Sequence, residues 1–305
     1  LQRWLTWRLA EQRGIAANLD FHYLAPWLMQ QLRQGGEPEP LDAAAWPWRV
    51  YELLAHPKLL REHPRLAHSL GDPAAPTAER LRWERAAAIA ARLEGLGLER
   101  PDWLAAWRER RLLLEHPDEA WLAAIWRAVG DDSADRLARQ LPRLRSAPGG
   151  RPVHLFAPAR LAPLHLQALA ALGDAREIHL YVLNPCREYW FDLLSPRRLA
   201  RLQALGRADA SHETLHPLLA HWAAPSQQLL RQLAALELHA DGGDYREPLR
   251  PTLLAEVQRS LLDLGPMPQG PLRAGDRSLE LHRCHSLRRQ LEVLHDRLLD
   301  LFTSD

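Results

Sequence analysis

The chain has 305 residues, of which 47% are apolar and 25% charged, proportions typical of a soluble globular protein. No run of about 18 apolar residues occurs, so no membrane span is predicted. The formal net charge of +1 excludes the strong overall basicity of a compact DNA-binding domain, so any nucleic-acid surface must be local.

The N-terminal residues predict an amphipathic helix over 1–13, with Trp4, Leu5 and Leu9 on one face. Helical spacing begins at Leu1 without a methionine or a capping residue, so we expect the sequence to be a fragment of a longer chain. Residues 15–21 predict a short extended segment, and Leu24 to Leu32 predict a second helix.

Residues 37–148 have helical spacing throughout, interrupted by prolines. The clearest amphipathic segments run from Leu81 to Leu98 and from Asp102 to Leu114. Because this helical block lies between two stretches of α/β character, we interpret it as an inserted subdomain.

A strand–helix–strand unit follows the helical block. Val153 to Phe156 and Ile178 to Leu183 are short apolar runs, and the helical spacing between them ends at Gly173. Such units normally give parallel strands with a right-handed crossover. Asn184-Pro185 ends the second strand, so residues 186–190 lie where open α/β sheets place their binding crevices.

The remainder of the chain is predominantly helical, with one further strand near its end. Cys186 and Cys284, the only cysteines, predict free thiols in a reducing compartment. The predicted elements are a long helix from Leu215 to Leu238 that Pro225 can interrupt, a helix from Pro251 to Leu264, a linker from Gly265 to Asp276, a strand from Leu279 to Cys284 and a helix from Arg288 to Phe302.

Motifs for ATP hydrolysis and DNA cleavage are missing from the sequence. No Gly-Lys-Ser/Thr occurs, and the strand ending at Phe156 is followed by Ala157-Pro158-Ala159, without the acid that would hold Mg²⁺. Pro101-Asp102 is not followed by the acid and lysine of a metal-dependent nuclease. His282, Cys284 and His285 are potential metal ligands without a second cluster, a pattern in which packing is the more frequent role, so no metal is predicted.

Several blocks of the sequence together carry a resemblance to a known family. The blocks are Trp4-Leu5 with residues 14–21, residues 100–104, residues 161–190 with the string Asn184-Pro185-Cys186-Arg187-Glu188-Tyr189-Trp190, residues 217–220, and residues 282–286 with 292–296. In this order they resemble the RecC family, the gamma subunits of exodeoxyribonuclease V. Ala162 stands in place of the first of two prolines, and residues 40–95 match only loosely.

The resemblance implies a predominantly helical α/β protein with a superfamily-one helicase-like (RecA-like) parallel sheet and an all-helical inserted subdomain. Residues 1–36 and 149–268 are then expected to form an inactive helicase-like domain, with residues 37–148 as its insertion. Residues 269–277 are expected to be a linker, and 278–305 the truncated start of a second such domain.

The same resemblance implies a non-catalytic, DNA-handling scaffold subunit of a RecBCD-type helicase-nuclease in bacterial double-strand-break repair. Such a subunit is expected in the cytoplasm, away from membranes, where it guides single-stranded DNA and contributes to Chi sensing. Its implied partners are RecB-like and RecD-like helicase subunits, single-stranded DNA and duplex DNA. This chain is expected to need no cofactor, since the partner subunits use ATP and Mg²⁺. Two alternatives remain open: a helical protein-interaction module without DNA contact, and a stand-alone DNA-dependent ATPase or nuclease.

Arginines beside aromatic residues at the ends of elements are candidates for gripping a single strand through phosphate contacts and base stacking. The resemblance adds the segments that follow Phe21 and precede Arg100, which it places nearest the tunnel for the 3′-ended strand. The candidate DNA-binding residues are Arg3, Tyr23, Arg92, Arg100, Arg187, Tyr189 and Trp190.

Each candidate has a structural alternative. Aromatic residues at helical spacing normally face the core, and we favour the core for Trp4, Trp7, Trp103, Trp107, Tyr189 and Trp190. Arg100 can pair with Glu99 or Asp102, and Arg187 can pair with Glu188 or Asp192. Because the segments after Phe21 and before Arg100 depart from the family pattern, the Chi specificity of the family cannot be transferred to this chain.

Overall fold

The computed structural model describes residues 1–33, 43–114, 116–129, 133–146, 149–208, 214–236, 238, 242–271 and 273–303. The chain forms two compact units, Leu1–Tyr181 and Val182–Asp305. Helices predominate, and the strands found in the described ranges form one two-stranded parallel sheet. None of the described helices is long and apolar enough to cross a bilayer.

Half of the α-helices described in the first unit begin at a proline. Proline is tolerated at the first helical position because its missing N–H needs no partner there, and Pro57, Pro64, Pro101, Pro117 and Pro163 each begin a helix. The helices are α1 (Gln2–Arg13), α2 (Leu24–Arg33), α3 (Trp46–Leu53), α4 (Pro57–Glu62), α5 (Pro64–Ser69), α6 (Ala78–Glu99), α7 (Pro101–Arg108), α8 (Pro117–Val129), α9 (Ser133–Arg145) and α10 (Pro163–Gly173).

The described residues of this unit form two hydrophobic clusters that matter for the site. The first is formed by α3, α5, α6, α7 and α8 around Trp46, Trp107 and Trp126. The second brings Leu28 of α2 and Leu144 of α9 together with Leu164 and Leu172 of α10. Helix α9, which the sequence assigns to the insertion, therefore packs against helices on either side of that insertion in sequence.

The sheet consists of β1 (Val153–Phe156) and β2 (Ile178–Tyr181), which pair in parallel with α10 as the crossover. This confirms the predicted strand–helix–strand unit, although β2 ends two residues before Leu183. Ile178 packs on the second hydrophobic cluster, whereas His154 and His179 are exposed and stack with 4.6 Å between ring centroids.

The second unit is arranged around a small core that contains Cys186, Trp190, Leu215 and Leu219. Its helices are α11 (Pro196–Ala204), α12 (Pro217–Trp222), α13 (Ala224–Ala234), α14 (Leu253–Leu262) and α15 (Leu287–Thr303). The predicted helix from 215 to 238 is therefore two helices that break at Ala223, beside Pro225. No residue of α15 is buried.

Two predicted elements differ from the structure. Residues 279–284 form no strand, and Leu281 is 97% exposed. Alternating side chains favour a strand only where a neighbouring strand supplies backbone partners, and the described residues supply none here. The helix predicted to run to Leu114 ends at Arg108, since Arg110 adopts the left-handed conformation with φ 60°.

Candidate nucleic-acid interface

Arg100 occupies the N-cap position of α7, directly before Pro101. Its Nε donates to Asp102 Oδ1 at 2.9 Å and its Nη2 donates to Asp102 Oδ2 at 2.6 Å. The guanidinium carbon lies 4.3 Å from the centroid of the Trp103 ring. This hydrogen bonding lowers the pKa of the Asp102 carboxyl. Arg100 thus makes one of the two local pairs expected of it, while its half-exposed side chain still faces solvent.

Arg160 connects the loop after β1 to the end of α6. Its Nη2 donates to Glu99, the last residue of α6 and the neighbour of Arg100. Arg92 lies seven residues before Glu99 on this helix, which is two turns away on the same face. Arg92, Arg100 and Arg160, here called the arginine junction, therefore lie on or next to the C-terminal half of α6, where Arg160 ties the loop after β1 to Glu99.

The sequence missed Arg160 because its position depends on a pair with a residue 61 positions earlier. One signal was present, since Arg160 follows a strand that precedes a parallel crossover, and ligands bind at the carboxyl ends of such strands. No carboxylate other than that of Glu99 bonds to Arg160 in the part of the chain that the structure describes.

Arg3 and Tyr23 are both exposed, Tyr23 to 87% of its surface. No hydrogen bond, ion pair or ring contact between described residues joins either of them to the arginine junction. The arginine that stacks on the N-terminal tryptophans is Arg8, whose guanidinium carbon lies 5.2 Å from the Trp7 centroid. The predicted roles of Arg3 and Tyr23 in DNA binding stay predictions.

In the second unit, Arg187 is held by two acids that are distant in sequence. Its Nη2 lies 2.7 Å from Asp263 Oδ1, and its Nη1 donates to Glu247 Oε1 at 3.3 Å. Neither Glu188 nor Asp192, the partners considered from the sequence, makes this pair. The Arg187 side chain is 40% exposed, so one edge of its guanidinium can still reach a phosphate.

The two aromatic residues after Arg187 have opposite environments. Trp190 is fully buried, and its Nε1 donates to Asn184 Oδ1 at 3.0 Å. Asn184 also accepts from the backbone N–H of Cys186 and donates to the Tyr245 hydroxyl. Tyr189 is 65% exposed. Trp190 therefore presents no ring face to a base, because the indole forms the core of this unit, and only Tyr189 remains a stacking candidate.

The expectation that all the aromatic candidates face the core is correct for some of them and wrong for others. Trp107 and Trp190 are fully buried, and Trp103 is half-buried under Arg100. The exposed members are Trp4, Trp7 and Tyr189. Helix α1 buries no residue, which is why its tryptophans remain at the surface.

The His282–Cys284–His285 segment is exposed or half-exposed, and His282 Nε2 lies 3.3 Å from Glu280 Oε2. Within the described ranges, no group of three or more histidine, cysteine, aspartate or glutamate side chains is arranged to hold a metal ion. The local partner of His282 is thus a carboxylate.

Comparison with known proteins gives the chain its family. Residues 1–264 match the family described as RecC, N-terminal domain. The chain aligns over its whole length with the RecBCD enzyme subunit RecC of Escherichia coli K12 at 29% identity, covering 32% of that protein. It aligns likewise with those of Mycolicibacterium smegmatis at 31% and Haemophilus influenzae at 27%, covering 28% and 33% of their lengths. The chain thus spans about a third of these relatives, and it belongs to the RecC family through the N-terminal domain.

Proposed function

We propose that this chain is the N-terminal part of a non-catalytic subunit that handles DNA in a RecBCD-type helicase-nuclease during double-strand-break repair in the bacterial cytoplasm. Membership of the RecC family supports this proposal. The curated relatives are named as the RecC subunits of the RecBCD enzyme. The partners proposed for the complete protein are RecB-like and RecD-like helicase subunits together with single-stranded and duplex DNA.

The arginine junction is the observation that carries the DNA-handling role. Arg160, from the loop after β1, bonds to Glu99 at the end of α6; Arg100 follows Glu99 directly, and Arg92 lies two turns earlier on the same helix. Guanidinium groups suit phosphate because their planar N–H donors can bond two oxygens at once. A strand of DNA that passes this edge would meet charge at the place where parallel sheets usually bind ligands.

The β1–α10–β2 unit also supports assignment to a helicase-like, RecA-like domain. RecA-like sheets are built from parallel strands joined by helical crossovers, and this unit has that connection. The proposed domain comprises residues 1–36 and 149–268, with 37–148 as the helical insertion and 278–305 as the start of the next domain. In this arrangement the first domain guides the 3′-ended strand and contributes to Chi sensing.

A non-catalytic role fits the residues at the position where a helicase would hold Mg²⁺. The loop after β1 presents Arg160, a cation, and its sequence from Ala157 to Ala159 contains no carboxylate. ATP and Mg²⁺ are therefore assigned to the partner subunits. Incubation of the chain with Mg²⁺, ATP and linear DNA should give no turnover, and DNA-stimulated hydrolysis lost through a point substitution in this chain would overturn this part of the proposal.

The DNA-handling role is tested by titrating a fluorescent 20-nucleotide oligothymidylate with the chain at several salt concentrations. Each phosphate contact contributes about 0.7 to the slope of log affinity against log salt for single strands. Arg92→Gln with Arg100→Gln should lower this slope by about 1.4. Arg80→Gln is the control. Arg80 lies on the same helix, α6, but its charge is already paired with Glu84.

If the wild type, the double variant and the control had equal salt slopes, the arginine junction would not contribute to DNA binding. Absence of salt-dependent binding by any of them would favour the alternative of a protein-interaction module. The partner assignment has a separate test, because the full-length protein should co-purify with a RecB-like chain, and failure to do so would contradict it.

A further inference from the structure

Helix α7 ends in a motif that normally uses glycine. The Arg110 N–H donates to Trp107 O at 3.1 Å and the Arg111 N–H donates to Ala106 O at 2.9 Å, which is the hydrogen-bond pattern of a Schellman motif. Arg110 holds the left-handed position of this motif with φ 60°. Glycine adopts this conformation without the steric conflict that a Cβ creates. The chain thus places an arginine at a position where the backbone conformation favours glycine, which has no side chain.

A second arginine meets Arg110 from the neighbouring helix. Arg127 of α8 donates from Nη1 to Trp107 O at 3.1 Å, the same oxygen that accepts from the Arg110 N–H. Its guanidinium is therefore fixed beside the backbone from which the Arg110 side chain extends. Burial lowers the pKa of Arg127, and the charge of Arg110 lowers it further. Two like charges are thus held near each other.

Other arginines of this region have acidic partners. Arg108 pairs with Asp135, and Arg111 donates through Nε at 2.9 Å and through Nη2 at 2.6 Å to Glu109. Across the described residues, no carboxylate bonds to Arg110 or to Arg127. The positive charge of these two side chains is therefore not neutralised locally, and the pair has the chemistry of an anion site.

Glu119, the nearest buried acid along the chain, is fully engaged elsewhere. It accepts from Trp107 Nε1 at 2.9 Å, from the Leu113 N–H at 2.7 Å and from the Leu114 N–H at 2.6 Å. These bonds fix the loop after the arginine pair. Leu112, Leu113 and Leu114 stay between 40% and 50% exposed on that loop, so an apolar surface lies close in sequence to the proposed anion site.

We propose that Arg110 and Arg127 bind a backbone phosphate of single-stranded DNA, with Leu112 to Leu114 beside the sugar and base of that nucleotide. The inference rests on the proposed DNA-handling function and adds a second contact, separate from the arginine junction. A single strand fits better than a duplex because its unpaired bases expose apolar faces to side chains, whereas a duplex buries those faces in its stack.

The test compares Arg110→Gly with Arg111→Gln in the 305-residue chain. Arg110→Gly should weaken binding of the oligothymidylate about two- to fivefold and lower the salt slope by about 0.7. It should also raise the melting temperature, because glycine relieves the left-handed backbone. Arg111→Gln removes the same charge one residue away, and we expect the salt slope to stay at the wild-type value.

Opposite effects on affinity and on stability separate a binding role from a structural one. Unchanged affinity and slope in Arg110→Gly, in a chain whose wild type binds the oligonucleotide, would overturn this site and leave the arginine junction intact. Failure of the wild type to bind at all would overturn both proposals for this chain. If Arg110→Gly and Arg111→Gln lost the same affinity, the effect would come from the net charge of the chain and not from a specific site, and the proposal would be overturned.

Arg127→Gln provides the second variant, with the same expected loss of slope and a lower melting temperature, since it also removes the bond to Trp107 O. A polyglutamate peptide is the probe for an acidic protein partner. Weaker binding of polyglutamate than of the oligonucleotide at equal charge supports the assignment to DNA. Equal binding with the same dependence on Arg110 would assign the site to an acidic protein segment and overturn the nucleic-acid assignment.

Discussion

The guanidinium of Arg100 lies over the indole of Trp103, with 4.3 Å between the guanidinium carbon and the ring centroid. Asp102 holds the same guanidinium through two hydrogen bonds. The ring fixes the plane of the guanidinium, and the carboxylate competes with any phosphate that approaches it. Under the proposed DNA-handling role, Asp102 therefore sets in part how strongly Arg100 binds a phosphate.

Substitution of Asp102 by asparagine should strengthen single-strand binding, because it removes the competing charge while keeping the shape of the side chain. We expect an increase of about two- to fivefold, the range of an exposed ion pair. Arg100→Ala should weaken binding about uniformly across sequences and lower the salt slope by about 0.7. Fluorescence anisotropy at several salt concentrations measures both. Loss of melting temperature without any change in DNA binding would assign Arg100 to the scaffold.

Tyr189 and Trp190 give a paired test of base stacking. Tyr189→Ala should reduce oligothymidylate affinity by about tenfold, within the range measured for a single base stacked on an aromatic ring. Its melting temperature should stay near that of the wild type because the ring is 65% exposed. Trp190→Phe should lower the melting temperature and leave affinity unchanged. The reverse pattern would show that the buried ring becomes exposed when DNA binds.

Arg187→Ala tests whether the ion pairs with Glu247 and Asp263 exclude phosphate. Both pairs are half-exposed, so their loss should destabilise the chain by no more than about 1 kcal/mol. A phosphate role predicts a salt slope lower by up to about 0.7. Differential scanning fluorimetry and the salt titration measure the two effects separately, and a lower melting temperature at constant slope would leave Arg187 with a structural role alone.

Glu119→Gln should lower the melting temperature of the chain. An amide presents N–H groups where one carboxylate oxygen accepts from Leu113 or Leu114, so buried hydrogen bonds are lost at a cost of about 2 kcal/mol. For a chain of this size the change corresponds to about 3 °C. Glu109→Gln is the control, because Glu109 is exposed and bonds only to Arg111 among the described residues; its effect should stay within about 1 kcal/mol.

The effect of Glu119 should also depend on pH. Burial by itself raises the pKa of this carboxyl, but the hydrogen bonds from Leu113, Trp107 and Leu114 outweigh it, so the pKa lies below the usual value. A lowered folded-state pKa gives stability that is present above the unfolded-state pKa and lost as the pH falls through the folded-state pKa. The difference in unfolding free energy between wild type and Glu119→Gln, measured by urea denaturation, should therefore shrink in acid. A constant difference from pH 7 to pH 3 would contradict this assignment.

Several helices and strands that are marked by the spacing of their own apolar residues were predicted correctly from the sequence. The runs from Val153 to Phe156 and from Ile178 to Leu183, with helical spacing between them, were sufficient for a parallel unit, although its second strand ends at Tyr181. Helices α1, α2, α6 and α15 were likewise predicted from apolar spacing. The segment from Leu279 to Cys284 has comparable alternation but no described partner strand, so the same rule was wrong there.

The contacts of the candidate site could be predicted only where they join residues that are close in sequence. Arg100 and Asp102 pair two positions apart, and this alternative was visible in the sequence. Glu119 resembles an ordinary acid in the first turn of α8, and nothing near it indicates that it bonds Trp107. The acids that hold Arg187 lie 60 and 76 residues further along the chain, so their contacts depend on tertiary packing.

The two-stranded sheet has a consequence for the order in which the first unit folds. Two short strands gain too little from their own pairing to persist in water, and β1 and β2 are joined only through the intervening α10. Leu164 and Leu172 of α10 share a buried cluster with Leu28 of α2 and Leu144 of α9, and all four of these residues lie outside the strands. Docking of α10 should therefore precede strand pairing, with the sheet absent from the folding nucleus and its hydrogen bonds formed on the native side of the transition state.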